Sequence, residues 1–95
     1  MPGATSITVR VPSVLRACCA GDAELRLAAP TVRGALEVIE RRYPSLHRSI
    51  CDETGAVRRH VNLFVNTARV GDGDGLDAAL APGDVVSILP AVSGG

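Results

Sequence analysis

Polar and apolar residues alternate from Ser6 to Val11, putting Ile7, Val9 and Val11 on one side of an extended chain, and Pro12 closes the run. The alternation returns from Ala23 to Ala28, just after Gly21-Asp22, so this segment reads as the hairpin partner of the first strand. The period then changes. Pro30 breaks the pattern, Thr31 can cap a helix, and Val32, Ala35, Leu36, Ile39 and Tyr43 fall on one stripe of a helical repeat. Arg41 and Arg42 suit the negative end of that helix, and Pro44 forbids its continuation. Ser45 to Cys51 predicts a helical turn at most, and Asp52-Glu53-Thr54-Gly55 is turn chemistry.

From His60 to Asn66 the chain alternates again, sending Val61, Leu63 and Val65 to the core side and Asn62, Phe64 and Asn66 to the other. Asn66 to Val70 predicts a tight reversal into a short edge strand, and Leu76 to Leu80 one helical turn. Pro82-Gly83-Asp84 is a turn, Val85 to Leu89 is a fifth strand rich in β-branched residues, and Pro90 ends it. The order strand, strand, helix, strand, short strand, strand predicts an α+β fold of the β-grasp, ubiquitin-like type. Its sheet is mixed and four- to five-stranded, with one main helix packed on one face and the first and last strands adjacent at the centre. The expected organisation is a β-grasp domain over 1–90 and a flexible C-terminal Gly-Gly tail over 91–95.

Composition narrows the chemistry. In 95 residues, ten cations balance ten anions, which argues against a partner chosen by bulk electrostatics. Every cation is Arg. Without Lys there is no phosphate-binding lysine of the Walker type, no Schiff base, and no side-chain acceptor for isopeptide chains. Tyr43 and Phe64 are the only aromatics, too few for the stacking platforms that bind single-stranded nucleic acid. No apolar run has the length of a membrane span and no leader segment is recognisable, so the expected address is the cytoplasm.

Catalytic signals are sparse. Cys18, Cys19 and Cys51 are odd in number and include an adjacent pair, which suits reduced thiols better than a disulfide framework. They lack the spacing of a zinc site, and His47 and His60 complete no paired pattern, so no metal is expected. Gly71-Asp72-Gly73-Asp74-Gly75 begins like a calcium loop. Leu76 and Asp77 then stand where that loop needs an oxygen ligand and a glycine, and Gly83 stands where it needs a glutamate. A turn is the better reading. No dinucleotide fingerprint is present, and the chain is not expected to be an enzyme.

The informative stretch is Ala91-Val92-Ser93-Gly94-Gly95. With ten glycines in 95 residues, two in succession at the end arise by chance roughly one time in ninety. The five residues after Pro90 can reach roughly 17 Å from the domain at about 3.3 Å each. Two glycines have no Cβ, so they can thread a channel too narrow for other residues. A carboxylate is a poor electrophile, and a partner that activates it must surround it closely.

Tyr43-Pro44-Ser45-Leu46, Arg58 through Asn66, and the ending Gly83-Asp84-Val85-Val86-Ser87-Ile88-Leu89-Pro90-Ala91-Val92-Ser93-Gly94-Gly95 resemble the MoaD/ThiS family of ubiquitin-like sulfur carriers, and within it the branch serving cysteine biosynthesis. Val11 to Arg16 is also similar to that branch, and the likeness is weakest from Ala17 to Glu24. The resemblance implies that an E1-like enzyme uses ATP to adenylate the Gly95 carboxylate, and that a sulfur donor displaces AMP to leave a thiocarboxylate. Gly94, Ser93, Val92 and Ala91 would thread the partner's channel. It further implies a PLP-dependent cysteine synthase as sulfur acceptor and a metallopeptidase that releases the product. The carrier itself would hold no cofactor and meet neither nucleic acid nor membrane.

Alternation also predicts a recognition surface. With Leu63 facing the helix, Phe64 points away from it, and neighbouring strands can add Arg10 and Leu89, or Val85, to an apolar patch with a polar rim. The competing reading is a Phe64 half-covered by a loop. Three functional alternatives share the Gly-Gly end: the small subunit of molybdopterin synthase, the thiamine sulfur carrier, and a ubiquitin-like protein modifier.

Overall fold

The computed structural model describes residues 5–70 and 73–90. Strands β1 (Ser6–Arg10) and β2 (Glu24–Ala28) pair antiparallel in the expected phase, with Ile7 opposite Leu27 and Val9 opposite Leu25, all four buried. Their connection holds an element that alternation did not announce, a 3-10 helix over Ser13–Cys19. Arg16 Nε donates to the Val11 carbonyl at 3.1 Å, and Ala20 and Gly21, with φ of 61° and 84°, turn the chain back toward β2. So short a helix repeats its apolar face too few times to leave a readable period.

Helix α1 (Val32–Arg42) begins as expected: the Thr31 hydroxyl accepts from the Gly34 N–H at 3.0 Å, satisfying a donor of the first turn. Val32, Ala35, Leu36 and Ile39 are buried against the sheet, and Tyr43 is half-buried at the helix end. A second, shorter helix, α2 (Pro44–Ile50), stands beside the main helix α1 where the sequence predicted a helical turn over Ser45 to Cys51. The fixed φ and missing N–H that make Pro44 stop one helix also suit it to the first position of the next. Leu46 and Ile50, one helical turn apart, are fully buried.

Strands β3 (Val61–Val65), β4 (Ala68–Arg69) and β5 (Val85–Pro90) complete a five-stranded sheet in the order β2-β1-β5-β3-β4. The central pair, β1 and β5, is parallel, and the other pairings are antiparallel. Asn66 takes the left-handed conformation (φ 55°) at the β3–β4 reversal, which Asn tolerates better than most residues. The turn expected over Leu76–Leu80 lies earlier, as a 3-10 helix over Gly73–Asp77, while Ala79 bridges to Thr31. Leu76 and Leu80 still reach the core.

Pro90 also departs from expectation: it does not end the pairing but is the last residue of β5, opposite Val61. The Asn66 N–H donates to the Val85 carbonyl at 2.7 Å, which sets the phase of the β3–β5 ladder. In that phase Val61–Pro90 is a non-hydrogen-bonded pair, so the absent N–H of proline removes no bond. One continuous apolar core joins the inner face of the sheet to α1, α2 and the 3-10 segments.

Candidate functional site

Because side chains alternate, the inner face of the sheet fixes the outer one. Register aligns one transverse row across all five strands: Glu24, Arg10, Ser87, Phe64 and Arg69. Phe64 and Arg10 thus flank Ser87 on opposite sides, and Leu89 lies two residues along β5, opposite Asn62. Val85, on the same face two residues before Ser87, is half-buried and pairs with Thr8. The three surface residues selected from the sequence, Arg10, Phe64 and Leu89, therefore share one face. Phe64 is itself half-buried, and Leu89 is 48% exposed.

Beyond the end of β1 this face runs into a groove of ≈ 610 Å³ bounded by Arg10, Pro12, Arg16, Glu24, Ser87 and Leu89. The 3-10 helix supplies one wall, and its Val14 is 72% exposed. β5 delivers the chain to the edge of this groove at Pro90. Ala91, Val92, Ser93, Gly94 and Gly95 lie outside the described residues, as does the expected 91–95 tail as a unit.

The start of β5 is held firmly. The Asp84 carboxylate accepts from the Ala81 N–H at 2.9 Å and from Asn66 Nδ2 at 3.1 Å, while Asn66 Oδ1 accepts from the Val85 N–H at 3.1 Å. These donors, the Ala81 N–H foremost, hold the Asp84 carboxyl below the usual carboxylate range. The Asp52 turn is built in the same way: its carboxylate accepts from the hydroxyl and the N–H of Thr54 and from the Ala56 N–H, which keeps its pKa low.

Both carboxylates are taken up by donors of their own and neighbouring turns. Among the described residues no group of three or more His, Cys, Asp or Glu could hold a metal ion. The first part of the Gly71–Gly75 segment lies outside the described residues. A second hollow, between the helices and the Asp52–Gly55 turn, mixes Glu37 and Glu40 with Arg48 and Arg58 and holds none of the predicted site residues. No helix among the described residues is long and apolar enough to cross a membrane.

Sequence reasoning missed three cations at the site, Arg16, Arg26 and Arg69. Alternation in β2 carried the signal for Arg26, which stands opposite Thr8 on the outer face. Arg69 needs the β3–β4 register, which sets it opposite Phe64. Arg16 needs the 3-10 helix.

A five-stranded mixed sheet in the order β2-β1-β5-β3-β4 with helices on one face is the β-grasp, ubiquitin-like architecture. Residues 9–95 match the model of the ThiS family. The chain belongs to that family, and it is of the sulfur-carrier type rather than an enzyme. It is 34% identical over 92 residues to the sulfur carrier protein CysO of Mycobacterium tuberculosis (strain ATCC 25618 / H37Rv), covering 95% of this chain and 99% of that one. It is 38% identical over 65 residues to small archaeal modifier protein 3 of Haloferax volcanii, covering 68% of this chain and 70% of the relative. Among solved structures, the crystal structure of the Amycolatopsis orientalis BexX/CysO complex gives a TM-score of 0.82 at 31% identity, covering 94% of this chain and 99% of the matched one. The sulfur-carrier family and the cysteine-biosynthesis branch expected from the sequence agree with these relatives.

Proposed function

We propose that this protein carries sulfur on its C-terminus. The Gly95 carboxylate attacks the α-phosphorus of ATP in an E1-like enzyme, pyrophosphate leaves, and an acyl-adenylate forms. Hydrosulfide supplied by a sulfur donor then attacks the acyl carbon, the acyl–phosphate C–O bond breaks with AMP as leaving group, and a thiocarboxylate remains after the proton is lost. Its sulfur is the nucleophile delivered to an acceptor enzyme, a PLP-dependent cysteine synthase or the synthase of a related sulfur metabolite, and a metallopeptidase releases the product from the tail. ATP serves the activating enzyme, and the carrier binds no cofactor of its own.

The observation that carries this reading is the match to the ThiS family through Gly94 and Gly95, on a domain whose central strand leads directly to that end. The division of labour follows: a rigid sheet face with Phe64, Leu89 and Arg10 recognises the partner, and the residues from Ala91 onward present the reacting atom. The test is intact and fragment mass after coexpression with an E1-like enzyme from the same genome. One oxygen at Gly95 should be replaced by sulfur, and Gly95→Ala should abolish the exchange. An unchanged Gly95 beside a competent enzyme and sulfur source would overturn the reading.

The likeness to a small archaeal modifier protein supports a second reading, conjugation to target proteins. That reading requires an isopeptide-linked Gly95 on a target lysine in the same mass experiment. Chains linked through the protein's own lysines are excluded, because it has none.

A further inference from the structure

The central pairing of β1 with β5 stops abruptly, and each strand stops it with a proline. The Thr8 N–H donates to the Asp84 carbonyl at 3.0 Å, so in this parallel phase Arg10 donates to Val86, and the residue two further on would donate to Ile88. That residue is Pro12, which has no N–H, and its own carbonyl is taken by the Leu15 N–H at 2.9 Å as the 3-10 helix begins. Pro90, the next position of β5 that would donate toward β1, has no N–H either. The Ile88 carbonyl is thus left as an open acceptor on the wall of the ≈ 610 Å³ groove. Arg10 and the half-buried Arg16 bound the same groove, and among the described residues neither has a carboxylate within salt-bridge distance. Glu24 lines the groove opposite Arg10, and Asp22 lies in the loop before β2.

We propose that this groove holds the chain's own end: Ala91 to Gly95 turns back from Pro90 and docks its terminal carboxylate between Arg10 and Arg16, with one of its N–H groups on the Ile88 carbonyl. Three arguments lead to it. The segment is tethered at the edge of the groove, so the contact is intramolecular, at a roughly millimolar effective concentration. Its length suffices: Arg10 pairs with Ser87, about 10 Å back along β5 from Pro90, and the five residues reach roughly 17 Å, which leaves enough chain for the reversal. Its chemistry fits as well, because the groove offers an open acceptor and two cations, and the segment offers N–H donors and one anion. On the other side of β5 the main-chain groups of Leu89 are taken up by Asn62, and Arg59 and His60, just before β3, are the competing cations there. The docked end is a resting state and goes beyond the carrier reading: it withdraws Gly95 whether or not the protein carries sulfur, and an enzyme acting at Gly95 must first displace it.

The test is an NMR titration of the Gly95 carboxyl carbon in the full chain, beside the free peptide N-acetyl-Ala-Val-Ser-Gly-Gly. At low salt Gly95 should titrate about half a unit below the peptide, a roughly threefold preference for the ionised form, and added salt should close the gap. The Ile88 carbonyl carbon should shift with the same midpoint, as its donor leaves with the protonated end. Arg10→Gln/Arg16→Gln should return Gly95 to the peptide value. Arg10→Gln alone, which leaves Arg16 Nε on the Val11 carbonyl, should lose at least half of the difference. Arg41→Gln, on α1, should leave it unchanged. A parental Gly95 that titrates as the peptide does overturns the proposal, as does a difference that survives both groove variants, or one that Arg59→Gln abolishes. No partner enzyme takes part, so this outcome is separate from that of the carrier reading.

Discussion

Cys18, Cys19 and Cys51 carry the same thiol in three environments. Cys51 is buried behind α2, and burial pushes its pKa up to about 11, with Asp52 and Glu40 adding to the rise. Cys19 is buried too; burial, then the charge of Asp22, raises its pKa, and its thiol lies 3.4 Å from the Asp22 carbonyl. Cys18 is half-buried, its sulfur 3.9 Å from the Ser49 hydroxyl. Thiolate is the reactive form, so iodoacetamide at mildly alkaline pH should label Cys18 about tenfold or more faster than the other two in the native protein. Peptide mapping after a timed quench checks this, and equal rates would mean that the core opens. The shift at Cys51 also fixes the direction of a pH effect. The unfolded thiol ionises near 9.0 and the folded one near 11, so the stabilisation from keeping it neutral is complete below 9.0 and lost as pH rises toward 11. Urea midpoints should fall across that window in the parent and fall less in Cys51→Ala.

At the scale of elements, legibility followed the number of periods available. β1, β2, β3 and β5 each show their inner face two or more times, and α1 shows its stripe over three turns, so both periods could be read directly. α2 and the Ser13–Cys19 helix are seven residues each, too short for a period to stand out. Proline misled twice, at Pro44 and Pro90, because its meaning depends on position. At the first turn of a helix, or at a strand position whose N–H makes no ladder bond, it costs nothing. Thr31 is where local chemistry was unambiguous. Replacing it by Ala removes the acceptor of the Gly34 N–H and should lower stability by about 1 kcal/mol, while Ser should restore most of the loss. Thermal unfolding of both variants checks the cap. The bridge from Thr31 to Ala79 is a main-chain contact that both retain.

For the molecule as a whole, the division between core and outer face passes through a single peptide bond. Leu63 and Phe64 are neighbours on β3 with opposite faces: Leu63 is fully buried in the core, and Phe64 lies half-buried on the outer face opposite Ser87 and Arg69. Alternation showed this division in the sequence. The company Phe64 keeps there was not legible, because its pairing with Arg69 depends on a two-residue edge strand and the row it shares with Ser87 and Arg10 on a five-strand register. Truncating a fully buried leucine removes its contacts and leaves a cavity, so Leu63→Ala should destabilise the domain by about 2–5 kcal/mol. Phe64→Ala loses a ring already partly in water, and the fold should lose roughly 1 kcal/mol or less. Activation should respond in the reverse order. An aromatic anchor at the centre of an interface commonly contributes about 2 kcal/mol or more, so thiocarboxylate formation in Phe64→Ala should slow by about thirtyfold at limiting carrier. Leu63→Ala, assayed well below its melting temperature, should be activated at close to the parental rate. Denaturation midpoints and initial rates of sulfur transfer, measured on both variants, make the comparison. If Phe64→Ala unfolds as readily as Leu63→Ala and is activated normally, the outer face is only the back of the core, and recognition must lie entirely in the residues beyond Pro90.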